Sequence, residues 1–341
     1  MENGSVQAMA LLLTEFIIIA AIIVVCGTRL SKYGDVIAEK TGLGRAWTGL
    51  ILMASITSLP ELITGISAVA IADVPDIAAG NILGACVMNL LILALLDPMD
   101  KSSPIFLKVG QSHVLSAGYG VLMLGVVSAS IFLEGYIPSF FHIGLYTPLL
   151  FILYFIGVRL VYVYERKYLS TIAGETVAKL KYDHISGTRA VLLYSVNALI
   201  IILAAAWLPF IAEKTAQATG IGTSFMGTFF VAMTTTLPEI VVSFAAIRIG
   251  AHDLAIGNLL GSNMFNLGIL ALDDILYGKG PLLSNISKSH AITALMAILM
   301  TAIVLVSIAY RPEKKTTRFG WDSLSMLAIG ALSMYFVYIM G

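Results

Sequence analysis

Two short stretches of the sequence each place a proline beside a glutamate inside an apolar run. The first reads TSLPE at 57–61, and the second reads TTLPE at 235–239, 178 residues later. Proline lacks a backbone donor and clashes with the carbonyl four residues before it, so carbonyls from Ala54 to Ser58 are expected to lose their helical partners. Beside them lie hydroxyl groups and one carboxyl group. Such hard oxygen ligands suit Ca²⁺ or Na⁺ rather than zinc or copper, so each stretch predicts half of a cation site.

The composition predicts a protein that crosses the lipid bilayer several times. Of the 341 residues, 58% are apolar and only 12% are charged, against about 25% charged residues in soluble domains. The 20 basic and 20 acidic residues cancel, so nothing indicates nucleic acid as a partner. The N-terminus lacks the basic region of a signal peptide, and the first apolar run is therefore expected to be retained as a helix.

Ten apolar segments of roughly 20 residues have the length that crosses a bilayer core. They lie near 6–28, 46–72, 76–97, 109–132, 143–164, 190–212, 222–249, 253–276, 286–309 and 321–340. A polar insert divides them five and five. The sequence thus predicts an all-α membrane protein with a five-helix repeat at 1–164, a linker at 165–189 and a second five-helix repeat at 190–341.

Lysine and arginine residues are concentrated in alternate connections between these segments. All but three of the 20 basic residues lie on one side, and the exceptions are Lys214, Lys279 and Lys288. Because cytoplasmic loops are rich in lysine and arginine, the distribution predicts a cell-membrane protein with both termini outside and the linker 165–189 in the cytoplasm. With five helices in each half, the two halves would enter the membrane from opposite sides.

The two halves also repeat in sequence. The stretch DIAAGNILG at 76–84 returns as DLAIGNLLG at 253–261, and Asn89 returns as Asn266, with a spacing of 177 residues. The glycine pair in each stretch predicts close helix packing, which would bring both asparagines against the broken helices. Inverted repeats with helices interrupted at mid-membrane are typical of secondary transporters, whose substrate binds at the interruption.

Carboxyl groups inside the apolar runs are a second indication of function. A charged carboxyl at mid-membrane costs about 3 kcal/mol, and Glu61 and Glu239 are related by the repeat, which favours a functional site over two structural kinks. Glu15, in the first apolar segment, is interpreted either as lining an ion path or as a hydrogen-bonded or snorkelling carboxyl.

These motifs resemble the two alpha repeats of the calcium/cation antiporter superfamily, in particular its sodium/calcium exchanger branch. TSLPEL with GNILGACVMN, and TTLPEI with GNLLGSNMFN, carry a resemblance that covers nearly the whole chain. It implies antiport of Ca²⁺ for Na⁺ by alternating access, with inorganic cations as partners and no cofactor. The calcium ligands it implies are the carboxylates of Glu61 and Glu239 and the main-chain oxygens of Thr57 and Thr235. The sodium ligands it implies are the carbonyls of Ala54 and Ala232 and the side chains of Ser58, Thr236 and Ser262.

Three departures from the family pattern change these expectations. Where the first repeat usually continues as glycine-serine-asparagine, this chain has Gly84-Ala85-Cys86, so one sodium-ligating hydroxyl is missing. Asn266 stands where potassium-dependent exchangers and some archaeal relatives carry aspartate, so no potassium dependence is expected. The linker of about 25 residues is too short for a cytosolic calcium-sensing domain.

The coupling ion and the transport class each keep an alternative. Two protons would neutralise the glutamates as well as one Ca²⁺ does, which describes an antiporter of Ca²⁺, or of another divalent cation, for H⁺, but the hydroxyl and carbonyl oxygens favour Na⁺. A cation channel is less favoured, because inverted repeats provide two exchangeable conformations of one site. The sequence shows no nucleophile and base in catalytic arrangement, no phosphate loop and no histidine-rich metal motif, so an enzyme is not expected. No obligate protein partner is evident.

Several other polar residues lie near the expected membrane edges. His113 and His290 are related by the repeat, and an interfacial role is expected for both. Asp73 and Asp76 at the outer mouth, with Asp253 at the cytoplasmic mouth, are expected to attract cations.

Overall fold

A computed structural model of the chain describes residues 2–41, 54–99, 104–136, 138–172, 185–248, 250, 252–310 and 319–340. Over these residues the chain is almost entirely helical, apart from connecting loops and a short hairpin of β1 (Ser139–Phe140) and β2 (Ile143–Gly144). The predicted all-α class is therefore confirmed.

The helices follow one another in a simple order along the chain. They are α1 (Glu2–Thr41), α2 (Ala54–Thr57), α3 (Leu59–Ser67), α4 (Pro75–Leu96), α5 (Ser112–Phe132), α6 (Tyr146–Ile172), α7 (Gly187–Thr219), α8 (Thr223–Phe225), α9 (Ala232–Thr235), α10 (Leu237–Arg248), α11 (His252–Tyr277), α12 (Ser289–Tyr310) and α13 (Trp321–Met340). A π-helical turn, Ala68–Ala72, continues α3, and another, Met226–Val231, joins α8 to α9.

Eight helices of the described part of the chain are long and apolar enough to cross a membrane. The helices Thr223–Thr235 and Leu237–Arg248 meet at an angle of 46°, and this bent pair has the length and composition of a ninth span if it crosses as one unit. The second predicted segment, 46–72, falls partly on residues 42–53, outside the described residues; its described part includes the apolar helix Leu59–Ala72. The chain is a multi-pass membrane protein.

Three helices extend beyond the apolar segments that predicted them. Helix α1 continues to Thr41, and α6 continues to Ile172, inside the predicted linker. Helix α7 begins at Gly187, where the hydroxyl of Ser186 accepts a hydrogen bond from the N–H of Arg189 at 3.3 Å. Lysine, arginine and glutamate are good helix formers, so a helix does not end where its apolar stretch ends. Both ends of the predicted linker are helical for this reason.

Helices α4 and α11 form the centre of the molecule. In their most apolar stretches, 83% of the residues of α4 and 78% of those of α11 are buried, against 22% in α1 and 28% in α7. Helices α1 and α7 pack against each other and expose large apolar side chains such as Ile17, Leu199 and Leu203. The outer helices therefore face lipid, while α4 and α11 carry the polar residues of both repeats inside the protein.

A buried aspartate in each half holds a loop of the other half. After α4, the Oδ1 atom of Asp97 accepts the N–H of Ile105 at 3.1 Å, and Oδ2 accepts the N–H of Gly320, in the second half, at 2.8 Å. The repeat-related residue is Asp274, at the end of α11. Since each carboxylate crosses to the opposite repeat, the pair fastens the two halves together at the ends of the central helices.

Asp274 accepts four hydrogen bonds. Its Oδ1 atom accepts the N–H of Leu282 at 2.6 Å and the hydroxyl of Tyr146. Its Oδ2 atom accepts the N–H of Gly144 at 3.0 Å and the hydroxyl of Thr147 at 2.6 Å. Asp274 thereby fixes the hairpin and the start of α6 onto α11.

Asp274→Ala is expected to destabilise the protein by about 3 kcal/mol or more, because hydrogen bonds to a charged group contribute about 1.5–3 kcal/mol each and buried N–H groups would be left unpaired. The measurement is the thermal unfolding temperature in detergent. Glu134→Ala is the matched control, because Glu134 is exposed and its recorded contact among the described residues is a surface ion pair with Lys288 at 3.6 Å. Equal unfolding temperatures for the two variants would contradict the role of Asp274.

Candidate cation site

Both proline–glutamate stretches interrupt their helices at the same point. Ser58 separates α2 from α3 with φ −84° and ψ 12°, and Thr236 separates α9 from α10 with φ −81° and ψ 3°. Pro60 lies in the first turn of α3, where its missing N–H would have no helical partner in any case. The predicted interruption is confirmed in both repeats, with the same backbone conformation.

Glu61 and Glu239 lie in the first turns of α3 and α10. Both side chains are 0% exposed. Neither oxygen of Glu61 has a hydrogen-bond partner in the described structure, and the same is true of Oε2 of Glu239. The positive end of each helix favours a carboxylate at this position, but buried anionic oxygens without partners are costly unless a cation or proton joins them.

The one partnered oxygen of the two glutamates receives hydroxyl groups from both repeats. Oε1 of Glu239 accepts the hydroxyl of Ser58 at 3.2 Å and that of Ser262 at 3.5 Å. Thr236, the repeat counterpart of Ser58, instead donates to the carbonyl of Ala232 in its own helix at 2.7 Å. The structure therefore groups Ser58 and Ser262 with Glu239, and turns the hydroxyl of Thr236 back onto its own helix.

Each broken helix also makes a hydrogen bond with the central helix of the other repeat. The hydroxyl of Thr57 donates to Oδ1 of Asn258 at 3.4 Å, and the hydroxyl of Thr235 donates to Oδ1 of Asn81 at 2.9 Å. The amide of Asn81 donates in turn to the carbonyl of Glu61 at 3.2 Å. Both asparagines occur in the repeated stretches, but sequence spacing did not show that they hold the threonine hydroxyls.

The prediction that carbonyls from Ala54 to Ser58 lose their helical partners is wrong at both ends of that range. The carbonyl of Ala54 accepts the N–H of Ser58 at 3.0 Å, and the carbonyl of Ser58 accepts the N–H of Leu62 at 3.1 Å. In the second repeat, the carbonyl of Ala232 accepts the N–H of Thr236 at 3.0 Å. A ψ angle near 0° bends the chain without opening the hydrogen bonds that bridge the break. Each carbonyl keeps a second lone pair, and a cavity of about 20 Å³, room for about one water, lies beside Ala54.

The asparagines predicted to approach the broken helices differ in their contacts. The amide of Asn89 donates to Oδ1 of Asn263 at 2.9 Å, and the amide of Asn263 donates to the carbonyl of Cys86 at 3.3 Å. Asn266 is buried, and neither polar atom of its side chain has a hydrogen-bond partner within the described residues. Asn89 is therefore held by Asn263, a residue that the sequence analysis did not single out although it is the repeat counterpart of Cys86.

The first predicted glycine pair does provide close packing. A Cβ atom added to Gly84 would lie 2.7 Å from Cβ of Ala232 and 2.8 Å from the carbonyl carbon of Thr228. A Cβ atom on Gly80 would lie 2.8 Å from the main-chain nitrogen of Thr228. The two glycines thus let α4 contact the π-helical turn and the start of the second broken helix directly.

The two repeat-related histidines are buried within the protein. The rings of His113 and His290 are 2% and 0% exposed. Nε2 of His113 lies 3.0 Å from Oδ1 of Asp253, and Nε2 of His290 lies 3.1 Å from Oδ1 of Asp76. Each aspartate oxygen also accepts a main-chain N–H at 2.7 Å. Asp76 and Asp253 are therefore engaged in holding neighbouring elements together.

The remaining mouth carboxylate, Asp73, forms an exposed ion pair with Lys279. The hydrogen bond from Lys279 to Asp73 raises the pKa of the lysine, so the lysine stays protonated and neutralises the carboxylate. Glu15 is partly buried in α1.

Known proteins resemble the chain over both halves. A family model described as sodium/calcium exchanger protein matches residues 11–164 and 189–341. Inner membrane protein YrbG of Escherichia coli is 28% identical over 264 residues, which cover 76% of this chain and 78% of that protein. The putative antiporter CaxA of Alkalimonas amylolytica is 25% identical over 335 residues, which cover 94% of this chain and 97% of that protein.

Solved structures share the fold. The sodium-calcium exchanger NCX_Mj, soaked with Na⁺ and Sr²⁺, gives a TM-score of 0.61 at 21% identity and covers 96% of this chain and 98% of its own. Native YfkE gives a TM-score of 0.61 at 16% identity, with coverage of 99% and 96%. At these identities the likeness shows the fold alone.

The motif resemblance, the interrupted helices and the family model agree with one another. The model covers both proline–glutamate stretches and the buried glutamates that they carry. The chain belongs to the sodium/calcium exchanger protein family.

Proposed function

We propose that this chain exchanges Ca²⁺ for Na⁺ by alternating access across the cell membrane. In this proposal ten helices form two inverted five-helix repeats, both termini are outside, and the segment 165–189 is cytoplasmic. Ca²⁺ binds between the carboxylates of Glu61 and Glu239 and the main-chain oxygens of Thr57 and Thr235. The sodium ligands come from the two alanine carbonyls and the three hydroxyl groups named above, with Asn89 and Asn266 beside them.

One observation carries the proposal: two fully buried glutamates from opposite repeats present three carboxylate oxygens without a hydrogen-bond partner in the described structure. A calcium ion would supply the missing charge and accept these oxygens as ligands. Asn258 and Asn81 accept the hydroxyl protons of Thr57 and Thr235, which holds both threonines, with their main-chain oxygens, beside the glutamates.

The same two charges explain why exchange would be obligatory. A bound Ca²⁺ makes the site neutral, so the occupied protein can change conformation without enclosing a net charge. Two carboxylates without a cation would be costly to enclose, which would hold the empty protein on one side until an ion binds. Three sodium ions would leave one excess positive charge, and the cycle would then respond to membrane voltage.

Exchange of Ca²⁺ for protons is the second candidate function. Ala85 lacks the hydroxyl that the first repeat of the family usually supplies, and two protons neutralise the glutamates without any further ligand. The hydroxyls of Ser58 and Ser262 at Glu239 favour sodium, which needs several oxygen ligands.

Calcium uptake into proteoliposomes is the test. Vesicles receive either an imposed Na⁺ gradient or an imposed pH gradient, with the membrane potential clamped by a potassium ionophore. We expect uptake that requires internal sodium and changes with voltage. Uptake driven by the pH gradient alone and indifferent to sodium would replace the proposal by the proton antiporter, and single-channel currents would replace it by a channel.

A further inference from the structure

A buried carboxyl group lies outside the candidate cation site. Asp273, on α11, is 0% exposed, and neither of its oxygens has a hydrogen-bond partner among the described residues. The next residue, Asp274, is also buried but accepts four hydrogen bonds. Asp274 holds neighbouring segments together through these hydrogen bonds, whereas Asp273 makes no such bonds within the described residues.

Asp273 lies on the same polar face as the candidate site. A Cβ atom added to Gly65 would lie 2.9 Å from Oδ1 and 3.0 Å from Cγ of Asp273, so Gly65 makes the room for this carboxyl group. Gly65 follows Glu61 by one helical turn on α3, about 6 Å along the axis. On α11, Asp273 follows Asn266 by two turns on the same face, about 10 Å along the axis. Asp273 thus lies between the site and the end of α11 that the basic-residue distribution assigns to the outside.

The other half of the molecule has no counterpart. The repeat places Leu96 where α11 has Asp273, and Ser243 where α3 has Gly65. Leu96 is fully buried, so an apolar side chain occupies the equivalent position toward the cytoplasmic end. The buried carboxyl is therefore a feature of one side only.

The groups around this end of α11 leave Asp273 without a compensating charge. The titratable side chains there, on α3, α4, α6, α11 and the π-helical turn after α3, are Glu61, Asp73, Asp76, Tyr146, Asp274 and Tyr277. None of them is basic. Among the described residues, the basic side chains nearby are Lys279 and His290, which pair with Asp73 and Asp76, and His142 on the hairpin, whose Nε2 atom lies 3.0 Å from the carbonyl oxygen of Ile275. An isolated carboxylate in a dry interior takes a proton or a cation. Unlike Glu239, Asp273 accepts no hydrogen bond from a hydroxyl group of the described residues, and a proton is the one occupant that needs no further ligand.

We propose that Asp273 holds a proton while the outer passage is closed and releases it to water when a cation enters from that side. The O–H bond of the carboxyl breaks, the proton leaves through the hydrated passage, and the carboxylate faces the entering cation. External protons then compete with external cations, whereas internal protons do not act through Asp273. This inference rests on the proposed exchange function.

The test uses right-side-out vesicles, with calcium exchange measured at several external pH values and a fixed internal pH. In the wild type, the apparent KM for external Ca²⁺ is expected to rise by up to about tenfold for each pH unit of acidification, the limit for competition by one proton. Asp273→Asn has the shape of the protonated carboxyl, so it should make the external dependence clearly weaker than in the wild type. The dependence on internal pH, and the external dependence that remains, reflect Glu61 and Glu239 and should be unchanged. Asp73→Asn, at the exposed rim, is the matched control and should behave like the wild type.

An infrared difference measurement on the purified full-length protein tests the proton directly. Adding Ca²⁺ should remove a band of a protonated carboxyl, and Asp273→Asn should lack that band. If Asp273→Asn does not fold, Asp273→Glu, which keeps a titratable carboxyl, replaces it, and the carboxyl band should then shift in frequency instead of disappearing. Unchanged external pH dependence in Asp273→Asn, or calcium binding without loss of the band, would overturn it. Wild-type vesicles that exchange no calcium at any pH would instead reject the exchange function, while the band would still report on Asp273.

Discussion

Glu61→Gln and Glu239→Gln are each expected to lower calcium exchange by a factor of about a hundred or more. A dication in a dry site needs both negative charges, and breaking a buried ion pair by removing one partner costs about 3–5 kcal/mol, where each 1.4 kcal/mol is about tenfold in affinity. Both glutamates are fully buried, so water does not screen the positive charge that the substitution leaves unbalanced. The measurement is the initial rate of calcium uptake into sodium-loaded proteoliposomes.

Thermal unfolding separates a binding role of the glutamates from a structural one. A ligand that binds the folded protein raises its unfolding temperature, so the wild type should be stabilised by Ca²⁺ and neither glutamine variant should be. Without cations, Glu61→Gln should unfold at the wild-type temperature or above it, because it removes a buried charge whose oxygens have no partner in the described structure. Glu134→Gln, at an exposed carboxyl, is the control. Calcium uptake at the wild-type rate by either buried variant would contradict the site.

Gly84→Ala is expected to reduce exchange by about tenfold or more. The added methyl group would lie 2.7 Å from Cβ of Ala232 and would push α4 away from the second broken helix, and such overpacking costs about 1–3 kcal/mol. The carbonyl of Ala232 is one of the proposed sodium ligands, so the affinity for sodium should fall even if the unfolding temperature changes little. Uptake measured against internal sodium concentration gives that affinity.

Gly120→Ala is the matched control for Gly84→Ala. Gly120 also lies within a helix, but apart from the backbone of that helix no atom of the described residues lies within 4 Å of the position that its Cβ would take. The same substitution there should leave exchange unchanged and stabilise the helix slightly, because alanine is the better helix former. Equal loss of exchange in both variants would show that the packing against Ala232 is not the cause.

The sequence predicts the interruptions and the carboxyl pair because these depend on local chemistry. Proline removes a helical N–H donor at a fixed point of the sequence, and the repetition of Pro60-Glu61 as Pro238-Glu239 predicts both halves of one candidate site. Hydropathy did not predict the ends of the helices, because it reports only which residues lie in lipid. Helices α1 and α6 continue beyond their apolar segments, where charged residues favour a helix in water.

The contacts between the halves could not be predicted from spacing. Asn81 and Asn258 repeat, but which hydroxyl each one contacts depends on how two broken helices cross two central helices. Asp273 has no carboxyl counterpart in the first repeat. Its burial against Gly65, without a hydrogen-bond partner among the described residues, depends on how α11 packs against α3. The carbonyl of Ala54 kept its N–H partner because a change in one ψ angle bends the chain between two intact hydrogen bonds.

The reciprocal bonds between the repeats also bear on how such a chain can arise. Thr57 is held by Asn258 and Thr235 by Asn81, while Asp97 and Asp274 each hold a loop of the opposite half. A chain of half this length would lose each of these bonds between the repeats, although Asp97 and Asp274 would keep the N–H groups of Ile105 and Leu282. In the proposed inverted arrangement, such a half would regain the lost bonds only beside a second copy inserted in the opposite sense. On that proposal, an ancestral gene encoding a single repeat would have needed a product without a fixed orientation in the membrane, and joining two copies in one chain would have allowed each half to specialise, as Asp273 and Leu96 now differ.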